Sequence, residues 1–119
     1  MMKNVTIYHN PHCSKSREAL SLLEQQGIKV DTVLYMTAPL SVATLRELLR
    51  QLGFSDARQL MRTKEAAYQT LQLANPELSQ EQLSLAMTEH PELIERPIVV
   101  YQGQARVGRP LERINEILH

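Results

Sequence analysis

An α/β domain with a helical middle is predicted by three observations: a strand, helix, strand pattern opens the chain, a strand, strand, helix pattern closes it, and only helical periodicities lie between. Val5 to Tyr8 reads as a buried strand. Ser14 to Gln26 reads as a helix with Ala19, Leu20 and Leu23 on one face and Gly27 as its stop. Val30 to Tyr35 reads as a second strand, and a strand, helix, strand unit of this length implies a parallel pair joined by a right-handed crossover. Ser41 caps a helix whose stripe is Val42, Leu45, Leu48, Leu49 and Leu52, ended by Gly53. Ser55 is expected to cap a piece running toward Met61, and Lys64 to Leu71 reads as another. Ser79 and Gln82 make a capping box for a helix that reaches Glu89 and stops at Pro91. Pro97 to Tyr101 and Ala105 to Val107 flank Gln102-Gly103-Gln104 as an antiparallel hairpin, and Leu111, Ile114, Ile117 and Leu118 mark a closing helix.

This order, βαβ and then ββα, is that of a thioredoxin-like core with a mixed four-stranded sheet. It carries a helical insertion, approximately 41–90, between its halves, all within one domain over 1–119. The length suffices to bury a sizeable core, and no repeat or low-complexity run divides the chain. Thirteen basic residues balance thirteen acidic ones, so no global field favours nucleic acid or an anionic membrane. The start, Met1-Met2-Lys3-Asn4, shows neither a signal peptide nor a span, and a soluble cytoplasmic protein is expected. A lone cysteine closes no internal disulfide, and His90 and His119 have no metal-ligand spacing.

That cysteine, Cys13, falls between the first strand and the first helix. Helix-start N–H groups lack intrahelical partners and carry the positive end of the macrodipole, so they favour a thiolate. Cys13 is therefore the candidate nucleophile. His9 and His12 are candidates to lower the thiol's pKa, with loop ordering and a solvated loop residue as their respective alternatives. Ser14 and Ser16 are candidates to donate to the sulfur, Ser14 alternatively capping the helix. Asn10 either bonds the loop backbone or the sulfur. Lys15 and Arg17 are cations in the first helical turn, where the dipole disfavours them, which hints at a bound anion or leaves two solvent-facing charges. Across the sheet end from Cys13 the layout expects Glu95-Arg96-Pro97, whose proline bond is either cis beside the thiol or an ordinary trans opening of a strand.

The runs Ile7-Tyr8-His9-Asn10-Pro11 with Cys13 and Ser16-Arg17, Leu60-Met61-Arg62, Arg96-Pro97-Ile98-Val99-Val100, and Gly108-Arg109-Pro110 together resemble the glutaredoxin-linked arsenate reductase family. The resemblance covers nearly the whole chain in the same order. It implies a thioredoxin-like fold and reduction of arsenate to arsenite with glutathione as co-substrate and glutaredoxin as partner, without a bound metal, nucleotide or flavin. It also implies that Cys13 is the catalytic cysteine and that Arg62, Arg96 and Arg109 hold the oxyanion. The chemistry agrees: a guanidinium fork bonds two oxygens at once, and a single cysteine needs an external thiol to resolve its adduct.

One departure stands out. Ser14-Lys15 replaces the Gly-Thr of the best-known members, which puts a cation next to the thiol. Two related readings stay open. One is an Spx-like module that binds the RNA polymerase α subunit, although Ser16 occupies the second position of the C-x-x-C pair used for redox sensing. The other is a glutathione-dependent thiol oxidoreductase with another substrate. The phosphatase-like class of arsenate reductase needs C-x5-R, and Ala19 stands where its arginine would be.

Overall fold

The computed structural model describes residues 4–118; Met1, Met2, Lys3 and His119, and the readings placed on them, lie outside that range. The described residues divide into two compact units, one formed by the stretches up to Ala38 and from Arg96 onward, the other by Pro39–Glu95.

The first unit is built on a four-stranded sheet in the order β2-β1-β3-β4. Its strands are β1 (Asn4–Tyr8), β2 (Lys29–Val33), β3 (Ile98–Tyr101) and β4 (Gln104–Val107). β1 runs parallel to β2, with Val5 opposite Val30, and antiparallel to β3, with Ile7 opposite Val99. β3 and β4 pair antiparallel, Val99 opposite Arg106. This is the mixed sheet of a thioredoxin-like domain. Val5 and Ile7 alternate inward on β1 and pack with Ala19 and Leu23 of α1 (Ser14–Gln25), Val99, Ile114 and Ile117, all buried. Burying each of these valine, leucine and isoleucine side chains stabilises the fold by about 1.5–3 kcal/mol before entropy is counted. That core fixes the start of α1 beside the sheet.

Several ends differ from the sequence reading. β2 stops at Val33, so Leu34 and Tyr35 leave the strand. The hairpin turns on two residues, Gln102 (φ 52°) and Gly103 (φ 79°), the paired positive φ of a type I′ turn, and Gln104 joins β4. The closing helix is a 3-10 helix, Leu111–Glu116, that still buries Ile114.

The second unit holds α2 (Val42–Leu52), α3 (Ala66–Thr70) and α4 (Gln80–Glu89). The Ser41 hydroxyl accepts from the Thr44 N–H, and Gly53 closes α2 in the left-handed region, φ 76°. Ser79 and Gln82 form the expected capping box on α4. The piece toward Met61 is a 3-10 helix, Ala57–Leu60, and its cap is Asp56, not Ser55. Asp56 wins because its carboxylate accepts from the Arg58 N–H and also pairs with the Arg58 guanidinium at 3.2 Å. Leu45, Leu48, Leu60, Leu83, Met87 and Leu93 form the buried interior. Among the described residues no helix is long and apolar enough to cross a membrane.

Candidate active site

The loop after β1 is set by local hydrogen bonds. The Cys13 N–H donates to the Asn10 carbonyl at 3.0 Å, closing a turn, and the Asn10 side-chain oxygen accepts from the His12 N–H at 3.0 Å. Asn10 thus serves the loop backbone. Cys13 itself is the N-cap of α1, with extended backbone (φ −102°, ψ 122°), and its carbonyl accepts from the Arg17 N–H. The expectation that Ser14 caps the helix is corrected: Ser14 is the first helical residue, with an exposed side chain.

No acidic side chain occupies the first turn of α1, and no side chain caps it. Its free amides therefore face the sulfur. Burial pushes the Cys13 thiol up, but the Ser16 N–H, the hydrogen bond and charge of the Arg96 guanidinium, and the Lys15 N–H outweigh it and hold the thiol below its ordinary range. Cys13 is buried, at 7% exposure, and free of any disulfide.

Two arginines reach the sulfur from the sheet side. Arg109 donates from Nη2 to Cys13 Sγ at 3.6 Å and from Nε to the Arg96 carbonyl at 2.7 Å, so one guanidinium braces the thiol and the backbone of the other arginine. Arg96 is half-buried, and its Nε and Nη1 are buried without a hydrogen-bond partner among the described residues. The Arg96–Pro97 bond is cis, and so is Arg109–Pro110. The Pro97 carbonyl accepts from the Gly108 N–H at 2.9 Å. Gly108 is closely packed there: a Cβ would stand 3.0 Å from Pro97 Cγ and 3.1 Å from Ile114 Cδ1, so these side chains would have to shift by a few tenths of an ångström to admit it. The turn before β3 and the turn after β4 are thereby laced together, each delivering its arginine.

Behind the loop, buried His9 sits 2.6 Å by Nδ1 from the Ser16 hydroxyl, which also accepts from the Asn10 N–H at 3.1 Å. Burial, and then the Arg17 charge, lower the His9 pKa, so the ring is neutral near pH 7. The expectation that histidine lowers the thiol's pKa is corrected for His9, since a neutral ring supplies no charge. The expected donation from the Ser16 hydroxyl to sulfur is corrected as well; the hydroxyl serves His9 and Asn10, and the Ser16 backbone N–H serves the thiolate. Arg17 donates from Nη1 to the Pro11 carbonyl at 2.9 Å, and the Lys15 ammonium stands 3.7 Å from Glu18 on the exposed face. Among the described residues no cluster of His, Cys, Asp and Glu is arranged to hold a metal.

The model of the ArsC family matches residues 8–117, which include every residue of this loop and both arginine turns. The chain belongs to the ArsC family. A protein of Escherichia coli K12 named uncharacterized protein YfgD is 54% identical over 99% of each chain. The arsenate reductase of Haemophilus influenzae is 51% identical, with 97% of this chain and 99% of that protein covered. Among solved structures, the arsenate reductase from Vibrio cholerae superposes with a TM-score of 0.96 at 52% identity, covering 99% of this chain and 100% of that one.

In this ArsC family member Arg62 lies in the second unit. Its N–H donates to the Leu93 carbonyl at 2.6 Å beside an isolated Met61–Ile94 bridge, and its guanidinium pairs with Glu65. Sequence reasoning did not find the bracing of Arg96 by Arg109 or the tight seat of Gly108. A glycine directly before Arg-Pro was the available signal for the second.

Proposed function

We propose that this chain is an arsenate reductase that works with glutathione and a glutaredoxin. The observation that carries the reading is a thiol held below its ordinary range beside the half-buried Arg96, whose buried Nε and Nη1 have no partner among the described residues. Unpartnered buried donors of this kind cost about 1–3 kcal/mol, or more when charged, and a tetrahedral oxyanion would satisfy both. The similarity to named arsenate reductases at about half identity across the full chain supports arsenate as that oxyanion.

The Cys13 thiolate attacks arsenic and forms an S–As bond as one arsenate oxygen, protonated from solvent, leaves as water. Arg96 and Arg109 hold the remaining oxygens and offset the charge that both reactants bring. Arg62 joins them in this reading on the strength of the sequence match alone. The chain has one cysteine, so the second thiol comes from outside. Glutathione thiolate attacks the Cys13 sulfur; an S–S bond forms, the S–As bond breaks, and its electron pair stays on arsenic, which departs as arsenite. A glutaredoxin thiolate then takes the glutathionyl group and frees Cys13. The cycle needs reduced glutathione, which places it in the cytoplasm, and no resident cofactor.

The test is arsenite production from arsenate, glutathione and glutaredoxin. Wild-type protein is expected to turn over and Cys13→Ser to be inactive. Arg96→Lys, which replaces a fork by a point charge, is expected to raise the half-saturating arsenate about tenfold. Absence of arsenite with wild-type protein, or an active Cys13→Ser variant, overturns the proposal.

A further inference from the structure

A groove of about 480 Å³ runs along the outer face of α1, lined by Ser14, Arg17, Glu18, Ser21, Gln25 and Leu111 among others. Its lining starts at Ser14, the residue next to Cys13, and at 1.5 Å rise per residue the helix extends roughly 16 Å beyond it. Two opposite charges flank the groove one helical turn from the thiol. Arg17 is anchored by Nη1 on the Pro11 carbonyl, and its Nε and Nη2 make no hydrogen bond among the described residues. Among the described residues Glu18 forms an ion pair with the Lys15 ammonium, at 3.7 Å, with about half its side chain exposed.

Resting on the reading of Cys13 as a thiol that an external thiol must resolve, we infer that this groove is the seat of glutathione, with the α-carboxylate of its γ-glutamyl arm on Arg17 and its α-ammonium on Glu18. The complementarity is specific to that arm. It ends in a carboxylate and an ammonium on one carbon, and Arg17 and Glu18, which both line the groove, offer the opposite charges. The thiol of the central cysteine then faces the mouth of the helix, where Cys13 waits, and the glycine arm points away from the charged pair. A tripeptide of this size fits the groove's volume. No bond changes in this step; the groove binds and orients the attacking thiol.

The experiment has two arms. S-methylglutathione, which cannot react, is titrated into wild-type protein and followed by amide NMR shifts. Saturable shifts confined to Ser14, Arg17, Glu18, Ser21 and Gln25 are expected, weakened about tenfold by Glu18→Gln or Arg17→Gln, since each removes one charge-assisted hydrogen bond. In turnover, Glu18→Gln is expected to raise half-saturating glutathione by a similar factor while leaving half-saturating arsenate in place. Cysteinylglycine, which lacks the γ-glutamyl arm, should serve wild type and Glu18→Gln equally poorly, and γ-glutamylcysteine should serve nearly as well as glutathione. Shifts elsewhere, no shifts, or equal glutathione dependence in wild type and Glu18→Gln overturns the inference. The binding arm needs no arsenate, so a protein that binds S-methylglutathione here yet makes no arsenite refutes the substrate and leaves the groove standing.

Discussion

At Cys13 two effects of burial oppose each other. Removal from water favours the neutral thiol, whereas the same burial brings the Ser16 and Lys15 amides and the Arg96 guanidinium onto the sulfur and favours the anion. The net shift is downward because a hydrogen-bonded charge and two helix-start donors act on one atom. His9 shows the other outcome. With the Ser16 hydroxyl as its neighbour and Arg17 repelling a proton, burial keeps the ring neutral. Because the folded pKa lies below the unfolded value of about 6.5, the unfolded chain binds the extra proton in the window between them. Stability is therefore expected to fall as pH drops through that window, and His9→Gln should flatten this part of the profile in denaturant melts at pH 7 and pH 5. An unchanged slope in the variant would count against a neutral buried ring.

At the scale of elements, end signals and not propensity decide where helices and turns begin. The Ser79 hydroxyl accepts from the Gln82 N–H while the Gln82 side chain accepts from the Ser79 N–H, so Ser79→Ala is expected to cost about 1 kcal/mol in urea unfolding. Gly108→Ala forces a methyl against Pro97 and Ile114, an overpacking that costs about 1–3 kcal/mol. Since Gly108 also bonds the Pro97 carbonyl, that variant is expected to lose arsenate affinity along with stability, whereas Ser79→Ala, capping α4 in the other unit, should lose stability only. The same end signals explain what the sequence hid. Ser55 and Asp56 are both good caps, and the Arg58 guanidinium, held by the Leu73 and Asn75 carbonyls, together with the Gln80 amide tips the choice to Asp56. Leu111 to Leu118 has helical spacing, but the spacing of Ile114 and Ile117 satisfies a 3-10 helix equally well.

For the molecule as a whole, the strand and helix order was legible because the β1 and β3 runs are apolar and short and Gly27 and Gly53 stop helices. The Cys13 loop was legible too, since a strand end, a lone thiol and a helix start are adjacent in sequence. The arginine contact was not: 96 residues separate Arg109 from Cys13, and only the hairpin and its Gly108 seat bring them together. Protonation of His9 was equally hidden, because it depends on burial that periodicity at a loop residue does not encode. These pieces converge on one property, a thiol whose pKa guanidinium and amide donors hold below its ordinary range. Its most direct measurement is the rate of Cys13 alkylation by a small haloacetamide against pH, in wild type and in Arg96→Gln. The account predicts a midpoint below the ordinary cysteine value of about 8.5 in wild type and a rise toward it in Arg96→Gln. An ordinary midpoint in wild type, unmoved by Arg96→Gln, would contradict it.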